Sequence, residues 1–242
     1  MNDKLKLNWG EYLDLYILYE HPPSTLFHKY VSKKIARYIT YPFVLFGISP
    51  NTLTFVSFIL LVGSVVSLNI IDDHLSACLF FLILSQFSYA IDCSDGVVAR
   101  ITNKASKFGG FLDLSLDRLS SNVLMVGLIY YLYANANANA YGYFYIFIVL
   151  LGFISHQYYS YLADIRGFMF KDLKGYTKRQ TGKSVQKNII LFMYEFIDTG
   201  IFYFLLFLSI FYNLILETFI FYLVISWLLI FANYYVLYQE SK

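Results

Sequence analysis

Three stretches of this 242-residue chain, 52–99, 119–165 and 189–241, contain no lysine or arginine. Each is about twice the roughly 20 apolar residues that one membrane-spanning helix needs. Each is also interrupted near its middle, at NIIDDHLS, at ANANANAYG and at FYN in 211–213. The pattern predicts helical hairpins, with spans near 52–71, 75–98, 110–133, 142–163, 189–210 and 215–238. The apolar runs are continuous rather than alternating. A spanning helix also satisfies its own backbone hydrogen bonds, so helices are expected and a barrel is not. Composition agrees: 58% of residues are hydrophobic and 14% charged, whereas about a quarter of an ordinary soluble domain is charged. A soluble chain this short has too little else with which to bury six such runs. The expected fold is an all-α polytopic membrane protein with about six transmembrane helices.

All 18 lysines and arginines lie outside those stretches. They fall in the N-terminal segment, in 100–118, in 166–187 and at the last residue. Asp72, Asp73 and neutral residues occupy the opposite loops. The positive-inside rule therefore puts both termini and the basic loops in the cytoplasm. The segment LFHKYVSKKIARYI repeats Phe27, Val31, Ile35 and Tyr38 at helical spacing, with Lys29, Lys33, Lys34 and Arg37 elsewhere on the wheel. It is expected to form an amphipathic juxtamembrane helix, lying among headgroups or packed on the protein's own cytoplasmic face. Residues 1–25 read as a polar extension and 26–242 as the membrane domain. No apolar core of a cleavable signal precedes them, so the first spans are expected to direct insertion. Cys78 and Cys93 fall inside expected helices and read as packing residues. The abundant tyrosine and phenylalanine suit lipid interfaces, and no nucleic-acid partner is expected.

The sequence then raises a cost. Between the first two spans and the third runs AIDCSDGVVARITNKASKFGGFLDLSLDR, which places Asp92, Asp95, Asp113 and Asp117 next to hydrocarbon. Asp92 and Asp95 are three apart, and Asp113 and Asp117 four apart, so each pair shares a helix face. A short loop joins the two helices, which are therefore expected to be antiparallel neighbours with the pairs facing across a cleft. Carboxylates so gathered repel one another and are costly to desolvate. Protons, or Arg100, Lys104, Lys107 and Arg118, would relieve this, and divalent cations would do so more fully. Hard oxygen ligands without histidine or cysteine favour Mg²⁺, Mn²⁺ or Ca²⁺ over zinc. Two such ions about 4 Å apart form a clamp for phosphate transfer. Gly96 and Ala99 leave room beside the helix, and Arg100 can reach phosphate oxygens. Upstream, SPNTLT breaks any incoming helix at Pro50, offers Asn51 as an N-cap and sets Thr54 one turn into the first span.

The order D-x-x-D-G-x-x-A-R, eight residues, then G-x-x-x-D-x-x-x-D is filled at every position. It resembles the signature of the CDP-alcohol phosphotransferase family, and SPNTLT looks like that family's P-N-x-x-T element. The resemblance implies an integral membrane enzyme that transfers a phospho-alcohol from a CDP-alcohol to an acceptor hydroxyl and releases CMP. It implies a two-metal site for Mg²⁺ or Mn²⁺ at Asp92, Asp95 and Asp113, with Asp117 as further ligand and general base. It also implies that Gly96, Arg100 and Ser106, with Asn51 and Thr54, bind the CDP moiety. A homodimer follows by family analogy alone.

FGGFLDLSLDR resembles the prokaryotic branch that makes phosphatidylinositol-phosphate-type or phosphatidylglycerol-phosphate-type lipids from CDP-diacylglycerol. A bacterial or archaeal-type cytoplasmic membrane is accordingly expected. The acceptor is expected to be a polyol phosphate, a polyol or serine, and basic residues Arg118, Arg166, Lys174, Lys178, Arg179 and Lys183 are candidates to receive it. Relatives in that branch often carry another acidic residue where this chain has Ser120, Ser121 and Asn122. The alternative donor is a CDP-polyol or CDP-aminoalcohol. The alternative class is an ion-coupled transporter, which would place its acids near the midplane or in inverted repeats. Glu195, Asp198 and Glu217 are expected to be structural acids, and His156 and Gln157 packing polar groups.

Overall fold

The computed structural model describes residues 7–20, 25–135, 140–169, 196 and 198–240. These residues form the helices α1 Trp9–Tyr19, α2 Lys33–Leu45, α3 Pro50–Ile70, α4 His74–Ile101, α5 Lys107–Asn135, α6 Ala140–Met169, α7 Thr199–Phe211 and α8 Ile215–Glu240. A π-helical turn, His28–Ser32, leads into α2. The expected all-α membrane fold is present. By length and hydropathy α3, α4 and α8 (as far as Ala232) can cross a bilayer by themselves, and α7 is a shorter apolar helix. Helices α5 and α6 are 29 and 30 residues long but fall short of that hydropathy over the described residues. The expected span 189–210 is described only from Thr199 within its helix, and Lys174, Lys178, Arg179 and Lys183 lie outside the described residues.

Local chemistry sets the ends of these helices. The Ser49 side chain accepts from the Thr52 amide at 3.2 Å, with Pro50 at the first helical position. Ser49, and not Asn51 as expected, is thus the N-cap of α3, because proline needs no amide acceptor and its fixed φ suits that first position. Asn103 and Asn213 adopt φ of 53° and 57° just beyond α4 and α7, where a left-handed residue lets the chain leave the helix. Gly47, at φ 68°, does the same after α2. At the opposite end of α4, the Asp73 side chain accepts from the Ser76 amide at 2.8 Å. The Ser76 hydroxyl and amide hold the Asp73 carboxyl below its ordinary range. A depressed folded-state value gives stability that is present above the unfolded pKa of about 3.9 and is lost as pH falls through the folded value. Asp73→Ala is expected to lower the thermal midpoint at neutral pH and to flatten its fall below pH ~4, read by melting in detergent.

The most extensive packing joins α4 and α5 each to α3, α6 to α8 and α7 to α4. As expected, α4 and α5 face each other at the carboxylates, and residues of both line the two cavities there. Small residues permit the close approaches. A Cβ on Gly127 of α5 would collide with Val65 Cγ1 of α3. Serines occupy the same seams, as small polar residues do between helices in lipid. Ser88 of α4 donates to the Ser57 carbonyl of α3 at 2.7 Å. Phe55, Ile59, Phe80, Ile83, Val224 and Leu228 point outward and are exposed, which suits a lipid-facing surface.

The juxtamembrane helix is amphipathic as expected, but its charges are not all solvated. Val31, Ile35 and Tyr38 face outward, and Ala36, Thr40 and Val44 are buried towards the bundle. Lys33 is buried as well, with Nζ 3.6 Å from Glu20 Oε2. Residues 7–20 are part of the packed structure. Asn8 and Glu11 form a reciprocal capping box on α1. Tyr12 and Tyr16 are fully buried in a cluster with Val44, Leu53, Ile91, Val97, Val98 and Ile101.

Candidate active site

The end of α4 and the start of α5 bring Asp92, Asp95 and Asp113 together, with ligand oxygens all within 4.8 Å of one another. Asp117 lines a cavity together with Asp92, so the fourth carboxyl adjoins the cluster. Asp95 is buried, Asp92 and Asp113 half-buried, and Asp117 exposed. Among the described residues no lysine or arginine forms an ion pair with Asp92, Asp95 or Asp113. Capping and pairing with Arg100, Lys104 or Lys107 therefore does not account for the cluster. Three close oxygen donors without a basic partner fit a hard divalent cation.

Thr54 stands behind the cluster. Its hydroxyl donates to Asp95 Oδ2 at 2.6 Å and holds that carboxylate in one orientation. Thr54, expected at the nucleotide, is thus in contact with an acid of the cluster. Partners of this kind typically carry 10–100-fold in metal affinity. Thr54→Val keeps the shape and removes the donor, so Mn²⁺ titration should show a dissociation constant raised by about 10–100-fold.

Two cavities meet at Asp92. One, of about 250 Å³, is lined by Asp92, Asp95, Gly96, Arg100 and Asp113 on its α4 and α5 sides. Tyr16, Glu20, His28 and Lys33 complete it from the N-terminal side. The Arg100 guanidinium lies over Gly96: a Cβ there would sit 3.3 Å from Nη1 and 3.4 Å from Nη2. Asn51 and Ser106 are not in this lining. They meet beside Gly109, where a Cβ would lie 3.2 Å from both Asn51 Oδ1 and Ser106 Oγ. Ser106 Oγ also accepts from the Gly109 amide at 2.9 Å, capping the first turn of α5. The structure thus gathers Gly96 and Arg100 around the cavity and places Asn51 and Ser106 together at the start of α5.

The second cavity, of about 230 Å³, is lined by Asp92, Asp117, Arg118, Ser120, Ser121 and Gln157, among others. Arg118 Nη1 donates to Ser160 Oγ at 3.4 Å. His156, also in this lining, stacks on Phe202 with centroids 4.8 Å apart. Its Nδ1 is buried without a hydrogen-bond partner among the described residues. His156, Gln157 and Ser160 were expected to be packing groups or passed unnoticed; the polar run SHQ inside apolar α6 was the available signal. Tyr16, Glu20 and His28 of the other cavity carried no such signal.

Asp198 has a structural role. It caps α7, accepting from the Gly200 amide at 2.9 Å, and accepts from the Thr25 hydroxyl at 2.7 Å. Beside it His28 Nδ1 lies 2.9 Å from the Tyr89 hydroxyl and 3.9 Å from Asp198 Oδ2. Burial lowers the His28 pKa despite the neighbouring acid.

A carboxylate cluster set between two cavities in a bundle of long apolar helices fits an integral membrane enzyme. The chain belongs to the CDP-alcohol phosphatidyltransferase family, which matches residues 47–239. It is similar to an archaetidylinositol phosphate synthase of Pyrococcus horikoshii, 37% identical over 82 residues, 34% of this chain and 41% of that protein. A second archaetidylinositol phosphate synthase, from Methanothermobacter thermautotrophicus, is 50% identical over 38 residues, 16% of this chain and 20% of that protein. The chain therefore spans less than half the length of these curated relatives in the matched regions.

Proposed function

We propose that this protein transfers a phospho-lipid group from a CDP-activated lipid, CDP-diacylglycerol or its diether counterpart, to a hydroxyl of an inositol phosphate, with release of CMP. The observation that carries this reading is the pair of cavities sharing Asp92, with Arg100 in one and Asp117 and Arg118 in the other. The names of the similar proteins support an inositol phosphate acceptor, and Arg118 with nearby hydroxyls suits a phosphorylated polyol.

The donor pyrophosphate lies by Arg100 and the acceptor by Arg118, Ser120 and Gln157. The Asp117 carboxylate takes the proton of the acceptor hydroxyl. The acceptor oxygen bonds to the phosphorus bearing the lipid alcohol, the bond from that phosphorus to the bridging oxygen breaks, and the electron pair leaves on CMP. Asp92, Asp95 and Asp113 would hold divalent cations, with Asp117 adjoining. When bound, Mg²⁺ or Mn²⁺ supplies positive charge to the pyrophosphate and leaving group. Arg100, Lys104 and Lys107 lie at the site's end of the bundle and Asp72 and Asp73 at the other. The positive-inside rule thus makes the site cytoplasmic, where a soluble acceptor enters while the donor's chains stay in lipid.

The test is CMP release by purified protein with Mn²⁺ or Mg²⁺, CDP-diacylglycerol or CDP-archaeol, and inositol phosphate, glycerol 3-phosphate, inositol or serine. Release that depends on inositol phosphate and stops with EDTA is expected. Release with CDP-choline or CDP-inositol, but with neither lipid donor, would overturn the assignment of the donor.

A further inference from the structure

Helix α1 precedes the region matched to the family, yet it reaches the donor-side cavity. It is fastened along its length. Trp9 stacks on Tyr38 with centroids 5.6 Å apart and meets Tyr41 edge-on at 4.9 Å. The Tyr12 hydroxyl donates to the Arg37 carbonyl at 2.7 Å, and the Tyr41 hydroxyl to the Leu7 carbonyl at 3.2 Å. Arg37 lies over the Tyr16 ring at 5.3 Å. The last residue of α1 is Tyr19, and its carbonyl is one of those a helix end leaves without an intrahelical donor. Arg100 Nε donates to that carbonyl at 2.9 Å.

We infer that α1 is a positioning element for the donor: the Tyr19 carbonyl fixes Arg100 so that its two terminal nitrogens face the pyrophosphate of a cytidine diphosphate. This rests on the reading of the cavity as the donor site. A guanidinium offers five N–H donors in a planar fork. With Nε engaged by Tyr19, the plane is set and the Nη pair, seated over Gly96, keeps its donors for two phosphate oxygens. No hydrogen bond or ion pair engages that pair among the described residues. The partial negative charge at the C-terminal end of α1 holds the cation in the same place. An arginine not held in this way would lose rotamer freedom on each binding event. The N-terminal segment thus adds an orienting contact that the signature residues do not supply.

Glu20 provides the test. Its φ of −70° and ψ of 141° are compatible with proline. Proline there removes the amide that donates to the Tyr16 carbonyl at 2.8 Å. It also disfavours helical geometry at Tyr19, which turns the Tyr19 carbonyl away. Glu20→Ala removes the carboxylate alone and is the control. In full-length protein, CDP binding is titrated at saturating Mn²⁺, and Mn²⁺ binding is titrated without nucleotide. Glu20→Pro is expected to weaken CDP binding about tenfold relative to Glu20→Ala. Mn²⁺ affinity is expected to be equal in the two variants. In an Arg100→Gln background the difference between proline and alanine is expected to vanish. Equal CDP affinity of the two variants would overturn the inference. So would a difference that persists without Arg100, or a parallel loss of Mn²⁺. If Glu20→Pro does not fold, the Trp9→Ala/Tyr12→Phe pair is held to the same comparison against wild type. Wild-type protein that binds Mn²⁺ but no CDP would instead sink the donor-site reading itself.

Discussion

Asp117→Asn will lower kcat for CMP release by about 10²–10⁴-fold, the usual contribution of a positioned general base, and will leave Mn²⁺ bound. Asp113→Asn will lose both. The difference follows from position. Asp113 belongs to the three carboxylates whose oxygens converge within 4.8 Å. Asp117 shares the second cavity with Asp92 and Arg118 and is itself exposed. Removing a convergent oxygen leaves the remaining acids to hold a cation with fewer ligands. Removing the Asp117 charge leaves the convergent set intact but takes away the proposed acceptor of the substrate proton. Metal titration by EPR, alongside single-turnover CMP release, separates the two. Equal loss of Mn²⁺ in both variants would make Asp117 a ligand first and would remove the argument for its separate role.

A larger effect on the fold is expected from Gly152→Leu. Helices α6 and α8 pack so closely that a Cβ on Gly152 would lie 2.5 Å from the Phe219 carbonyl oxygen and 3.1 Å from the Phe219 carbonyl carbon. The obstacle is backbone, so no rotamer change relieves it. The helices must separate, and Phe219, fully buried in the main core with Phe153 and Phe202, must move with them. Overpacking that forces backbone shifts costs about 1–3 kcal/mol and occasionally more. The substitution is expected to lower the thermal midpoint in detergent and to reduce the yield of monodisperse protein. Gly110→Ala is the contrast, because nothing lies within 4 Å of its would-be Cβ. It is expected to be neutral or to stabilise α5 by up to about 1 kcal/mol. A Gly152→Leu protein that melts with wild type would show that the α6–α8 seam can open without loss.

Several residues mark how far the sequence could be read. The spacings of Asp92 to Asp95 and Asp113 to Asp117 foretold shared helix faces, because helical periodicity is a local property. They did not foretell that α4 and α5 would each pack on α3. The reading of Asn51 as a cap failed for a local reason: Ser49 and Pro50 compete for the same helix start, and proline suits the position after the cap. Thr54 was legible as a polar residue one turn into α3. Its bond to Asp95 joins residues 41 positions apart, which no local pattern encodes. The same holds for Arg100 and Tyr19, 81 positions apart.

By itself the sequence determined the class of environment and the chemistry near it. Long basic-free apolar runs have few stable fates outside a bilayer, and a spaced set of carboxylates has few uses at its edge. Tertiary structure alone decided which side chains share a cavity. It put Glu20, His28 and Tyr16 beside one face of Asp92, and His156 and Gln157 beside the other. Those neighbours are chosen by how helices of given shape fit together, by glycine at Gly127 and Gly152 and by serine at Ser57 and Ser88. Such fits depend on surfaces from distant parts of the chain, and they exist only once the helices have packed.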